Sequence, residues 1–117
     1  MKLLTNRQRQ ELLARGRVNA ERQSRGLEPV DLYPSIKLFT PDGAATWLLT
    51  ELDDDGIAFG LCDLGVGFPE IGSVSLAELR DLRGKLGLPV ERDRHFKPRY
   101  SLTEYAERAE REGRIIA

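Results

Sequence analysis

The sequence predicts an α+β domain: a small antiparallel sheet of four to five strands with three helices, in the order α-β-β-β-β-α-β-α. Three observations carry this expectation. Thr5-Asn6-Arg7-Gln8, Ser75-Leu76-Ala77-Glu78 and Ser101-Leu102-Thr103-Glu104 each pair a hydroxyl residue with Glu or Gln three positions on. That spacing is a capping box, so three helix starts are written into the chain. Two apolar runs, 45–52 and 57–64, flank Asp53-Asp54-Asp55-Gly56, and Asp-Gly between apolar runs is a hairpin signal. The length of 117 residues is that of one domain, so residues 1–117 are expected to share one modest core.

The first helix is expected from about Asn6 to Gln23, because Gly26 and Pro29 then stop it. Residues 26–35 read as a loop. Ile36 to Thr40 is rich in strand formers and ends at Pro41-Asp42-Gly43, a turn signal. The hairpin of 45–52 and 57–64 follows, and Ile71-Gly72-Ser73-Val74 adds a fourth strand. The second helix is short and is expected to end near Gly84 or Gly87. A fifth strand is expected over Pro89–Phe96. The last helix runs to about Glu112 with Gly113 as its cap, and Leu102, Tyr105, Ala106 and Ala109 recur on one face. Strands joined by hairpins place the helices on one side of the sheet or at its ends.

Composition narrows the class. Hydrophobic residues make up 40% and charged residues 32%. Dense apolar runs in the middle exclude disorder throughout. No apolar stretch reaches the roughly 18 residues of a membrane span, and the start lacks the apolar segment of a signal peptide. One cysteine, Cys62, excludes an internal disulfide, so a cytoplasmic setting is expected. The net charge of −1 conceals an asymmetry. Residues 1–25 hold seven Lys/Arg and two acids, residues 26–75 one base and nine acids, and residues 76–117 ten bases and eight acids. The ends are basic and the middle acidic, which suits a phosphate backbone at the ends and a protein or metal in the middle.

Leu38-Phe39-Thr40-Pro41-Asp42, Thr46-Trp47-Leu48-Leu49-Thr50-Glu51-Leu52 and Ala58 to Gly65 with Gly67-Phe68-Pro69-Glu70 form one set of strings. Leu86-Gly87-Leu88-Pro89-Val90-Glu91-Arg92-Asp93 and His95-Phe96 complete it. Together they resemble a small bacterial domain-of-unknown-function family, often encoded on plasmids and mobile elements of proteobacteria. The resemblance covers nearly the whole chain. It implies a genetic setting, accessory genes that help an element survive, such as those that counter host defence. It assigns no catalytic or binding residue.

The residues offer several candidate chemistries. Gly65-Val66-Gly67 follows a strand, but no third glycine and helix come after it, and no Gly-Lys-Ser/Thr is present. Dinucleotide and Walker-type phosphate loops therefore fail on spacing. A tight turn delivering Phe68 into the core is the expected role. Asp63, Glu70 and His95 are the set that would hold Mg²⁺ or Mn²⁺ in a metal-dependent nuclease acting on single strands, with Glu51 a further acid, if the fold brought them together. The plainer reading is turn acids and rim charges. Cys62, among Phe59, Leu61 and Leu64, reads as a small buried hydrophobe rather than a nucleophile.

Two basic segments suit binding. In Glu91–Tyr100, Arg92, Arg94, His95, Lys97 and Arg99 interleave with Phe96 and Tyr100, which is cations for phosphates and rings for bases. As a strand, Arg92, Arg94 and Phe96 would lie on one side and Asp93, His95 and Lys97 on the other. On the first helix, Arg7, Arg15, Arg22 and Arg25 share an arc of about 80°, an arginine-lined outer face partly neutralised by Glu11 and Glu21. The expectation is a binding module without a cofactor, docking on a host protein or single-stranded nucleic acid through Arg7, Arg15, Arg22, Arg92, Arg94, Phe96, Lys97, Arg99 and Tyr100. The nuclease and a structural or regulatory subunit are the alternatives.

Overall fold

The computed structural model describes residues 3–117. The elements are α1 (Asn6–Ser24), β1 (Ile36–Phe39), β2 (Thr46–Leu52), β3 (Ile57–Asp63), β4 (Glu70–Ser75), α2 (Leu76–Asp81), β5 (Glu91–Arg92) and α3 (Leu102–Glu112). The five strands form one antiparallel sheet in the order β4-β3-β2-β1-β5. The class and element order are those expected from sequence.

Local chemistry explains the boundaries. At α1 the Thr5 hydroxyl accepts from Gln8 N while the Gln8 side chain accepts from Thr5 N, a complete capping box. Ser75 and Ser101 accept from Glu78 N and Glu104 N at the starts of α2 and α3. Asp31 reinforces α3 by accepting from Thr103 N at 3.1 Å. Burial opposes its charge, but hydrogen bonds from Ser101 and Thr103 outweigh it and hold the carboxyl below its ordinary pKa. Gly113 ends α3 in the left-handed region at φ 73°. In the β2–β3 hairpin Asp53 Oδ1 accepts from both Asp55 N and Ile57 N, the fold of an Asx turn.

The helices do not share one side of the sheet. Ile36, Leu38, Trp47, Leu49 and Ala58 pack with Leu12 of α1 and with Leu76 and Leu79 of α2. On the opposite face Leu48 and Leu61 pack with Leu102, Tyr105 and Ala109 of α3. The molecule is three layers, with β2 buried on both faces. The unbroken apolar run Trp47-Leu48-Leu49 is the sign of this, since a strand with one wet face alternates.

Two element lengths differ from expectation. α2 stops at Asp81, because Leu82 turns extended at ψ 139° and the chain folds back in an Arg83–Pro89 bridge. The Asp42 carboxylate holds that return, with Oδ2 accepting from Leu86 N and Leu88 N. β5 is two residues, not eight. Asp93 Oδ1 accepts from His95 N at 2.9 Å and Phe96 N donates to Asp93 O, so the chain turns out of the sheet. The expected alternation of Arg92, Arg94 and Phe96 on one side therefore does not arise.

Candidate functional site

The 93–100 segment and α3 enclose a cleft of about 720 Å³. Phe96, Tyr100 and Tyr105 line it. Tyr105 is buried and stands edge-on to Tyr100 at 5.3 Å between ring centroids, with Phe96 at 6.5 Å. The Tyr105 hydroxyl accepts from Arg99 N at 2.9 Å and so pins the segment to the helix. Arg108 lies 3.9 Å over the Tyr100 ring, with its Nε on Glu104 at 3.1 Å. Lys97, Arg99, Arg111 and His95 also line the cleft, against Asp93 and Glu112. Among the described residues no ion pair or side-chain hydrogen bond engages Lys97, Arg99 or Arg111. The tail after α3 closes the cleft. It is anchored where Ile115 N donates to Asp63 Oδ2 and where Lys37 Nζ donates to Ala117 O at 2.7 Å.

The predicted binding residues separate into two groups. Arg94, Lys97 and Arg99 are exposed. Arg94 lines an adjoining hollow of about 610 Å³ that shares Asp93 and His95 with the cleft. Phe96 and Tyr100 are half-buried and pack against the α3 side of the core, so their rings serve the fold first. Arg92 donates to Leu3 O at 2.8 Å and ties the N-terminal segment to β5.

Of the four arginines on the face expected on α1, two, Arg15 and Arg22, are engaged by the chain itself. Arg15 donates to Tyr33 O and Ser35 Oγ and pairs with Glu11 at 2.9 Å. Arg22 donates to Glu28 O at 2.6 Å. Between them, Asn19 exchanges hydrogen bonds with Val30 N and Val30 O and donates to Glu51. Positions 15, 19 and 22 thus fasten residues 28–35 along the helix, satisfying loop backbone that would otherwise lack partners. Arg25 forms the C-cap through its backbone N–H, and its side chain is exposed. Arg7 remains exposed, on the helix across the sheet from α3.

The metal alternative does not assemble. Asp63 is buried, and its two oxygens accept from Gly65 N at 2.8 Å and Ile115 N at 2.9 Å. Glu70 is exposed at the start of β4, one edge of the sheet, and His95 follows β5 at the other. Four strand spacings separate those edges, on the order of 19 Å. No group of three His, Cys, Asp or Glu among the described residues is placed to hold a metal ion. Glu51 is instead bonded to Asn19, and burial pushes its pKa up. Cys62 is half-buried beside the α1–α2 side of the core, and burial raises its thiol pKa, which disfavours the thiolate. Phe68 is a plain correction. It is 75% exposed rather than in the core, because Gly65 and Gly67, both at positive φ, turn the loop outward.

The i, i+4 spacing marks Arg108 and Arg111 only as ion-pair partners of Glu104 and Glu107; the first pair forms at 3.1 Å, while among the described residues Arg111 has no ion pair. Tyr105, Arg108 and Glu112 recur at i, i+3 and i+7, one side of α3, and that period was the available signal.

A family model described as "Protein of unknown function (DUF2958)" matches residues 3–116. No curated protein and no solved structure matches the chain. No helix among the described residues is long and apolar enough to cross a membrane. The chain belongs to the DUF2958 family.

Proposed function

We propose that this DUF2958 protein is a binding module, without a reaction of its own, that grips single-stranded nucleic acid along the cleft between residues 93–100 and α3. A mobile-element setting, in which a small accessory protein acts by occupying a surface, fits a chain with a basic cleft assembled among its described residues. One observation carries the reading. Among the described residues, Lys97, Arg99 and Arg111 have no side-chain partner around a cleft lined by three aromatic rings, and Arg94, beside it, has no ion pair.

The chemistry is that of a cationic groove with a ring platform. Guanidinium and ammonium groups held by a rigid wall meet phosphates without first breaking ion pairs of their own. The half-buried edges of Phe96 and Tyr100 offer apolar contact for a base, and the Arg108–Tyr100 stack holds the ring in place. Duplex is too wide and stiff to follow a concave cleft of this volume, whereas a single strand bends into it.

Electrophoretic shift of a labelled single strand tests this. With three phosphate contacts the log–log salt slope should be about −2, so affinity falls roughly 20-fold between 50 and 200 mM salt. Lys97→Ala with Arg99→Ala should reduce the slope to about −0.7 with the melting temperature unchanged. Cleavage with Mn²⁺ that EDTA abolishes would replace this reading with the nuclease. No shift at low salt would redirect it to a host protein partner, including one in a defence complex.

A further inference from the structure

We infer that the hollow between the C-terminal half of α1 and the hairpin end of β2 and β3 is a site for a small organic ammonium ion, with Glu51 holding the charge and an apolar wall holding the body. The hollow measures about 540 Å³, within the range of small-molecule sites. It shares no lining residue with the basic cleft, so it stands independently of the strand-binding reading. A side chain at Gly16 would run into Leu52 O, so glycine is what lets α1 approach β2 and form the back of the hollow.

The charge of the hollow is one-sided. Among the described residues, Glu51 and Asp53 line it and no Lys, Arg or His does. Asp53 Oδ1 is taken by Asp55 N and Ile57 N, which leaves Glu51 as the acid of the floor. Glu51 is half-buried, and Oε2 accepts from Asn19 Nδ2 at 3.1 Å. Among the described residues no Lys or Arg forms an ion pair with it. Arg15 acts on it only from beyond ion-pair distance, with its guanidinium committed to Tyr33 O, Ser35 Oγ and Glu11. Burial raises the Glu51 pKa, and the hydrogen bonds from Asn19 and Thr50 with the Arg15 charge do not cancel that rise. The carboxylate is therefore short of positive charge, which an entering cation would supply.

Asn19 makes the acceptor rigid. It is buried, and its carboxamide is fixed by Val30 N and Val30 O. Glu51 is thus held in place before a ligand arrives, and little freedom is lost on binding.

The walls select the rest of the ligand. Leu52 and Phe59 lie beside Glu51, and Leu27, Pro29 and Ile57 are exposed around the mouth. A divalent metal ion needs several oxygen ligands, and no group of three acids, His or Cys among the described residues is placed to give them. A phosphate or carboxylate ligand would meet Glu51 and Asp53 with no cation lining the hollow to offset them. An ammonium on an apolar body uses both features. Its charge meets the carboxylate and the Phe59 ring, and its body buries against Leu52 and Ile57.

Titration of the full chain with benzylammonium tests this, read by NMR at the Glu51 carboxyl carbon and the Asn19 side-chain amide, above the pH at which Glu51 titrates. A range of about 0.1 to 10 mM brackets a millimolar Kd. Both signals should shift and saturate. Benzyl alcohol, the same body without the charge, should bind at least about 10-fold more weakly. Glu51→Gln keeps an acceptor for Asn19 and should weaken benzylammonium by about 10-fold while leaving benzyl alcohol unchanged. No saturable shift, an alcohol that binds as tightly as the ammonium, or wild-type affinity in Glu51→Gln overturns the inference. Should the variant misfold, the wild type decides. Saturating benzylammonium lowers the pH at which Glu51 titrates if the inference holds, and leaves that midpoint unmoved if it fails.

Discussion

The two edges of the sheet are built to opposite ends. At β5 the strand is two residues, Asp93 N donates to Lys37 O, and the chain at once turns away to form a cleft rimmed with cations. At β4 the strand is long, nearly uncharged, and preceded by a loop whose apolar side chains face water. A charged, broken edge repels another strand and frees its side chains for ligands. A smooth neutral edge offers its backbone to a partner. The two ends of one small sheet thus differ in what they expose, cationic side chains beyond β5 and strand backbone at β4.

The largest expected effect tests the β4 side through a pair of glycines. Gly60→Ala forces a Cβ against the Leu48 backbone and should cost on the order of 3 kcal/mol or more. At Gly72, its register partner on β4, a Cβ would meet nothing within 4 Å. Gly72→Ala should change stability by no more than about 0.5 kcal/mol. Urea midpoints measure both, and similar losses would show that β4 is packed within the chain after all. Next is Asp63→Ala. It removes the acceptor of Gly65 N and Ile115 N and should cost about 1–3 kcal/mol, loosening the Leu64–Phe68 loop and the tail that closes the cleft. Glu70→Ala, seven residues on and exposed, should cost less than about 0.5 kcal/mol.

Tyr105→Phe examines the β5 side. It removes one buried hydrogen bond to Arg99 N, about 1 kcal/mol, and should weaken strand binding more than that loss implies, because the 96–100 segment is no longer pinned. Equal affinity would detach the segment's position from binding. The smallest effect lies between the edges, at Glu51 on β2. Burial raises its pKa in the folded chain, so the folded state holds its proton to higher pH than the unfolded state does. The resulting contribution is present in full below the ordinary glutamate range and is lost as pH rises through the folded value. The melting temperature should fall slightly with rising pH there, and Glu51→Gln should flatten that slope.

Helix starts were legible because a capping box is chemistry within four residues. The β2–β3 hairpin was legible because Asp-Gly and its flanking runs are equally local. The three layers were also present in the run Trp47-Leu48-Leu49, yet three consecutive apolar residues are easily taken for the alternating face of a two-layer fold. The arginines of α1 were placed on the correct arc, but whether they met water or the 28–35 loop depended on a turn about ten residues away. Asp63 was visible as an acid at a strand end. Its partner Ile115 lies 52 residues on, and no spacing rule connects them.

By itself the sequence determined the class, the order of elements and the charge division, since propensity, capping and turn chemistry act over a few bonds. Tertiary structure alone decided which cations stay free, which acids are consumed, and that Phe68 points outward while Tyr105 points inward. Those outcomes depend on which polar backbone groups and which faces are still unsatisfied once distant segments have met, and that contest is settled only in the folded chain.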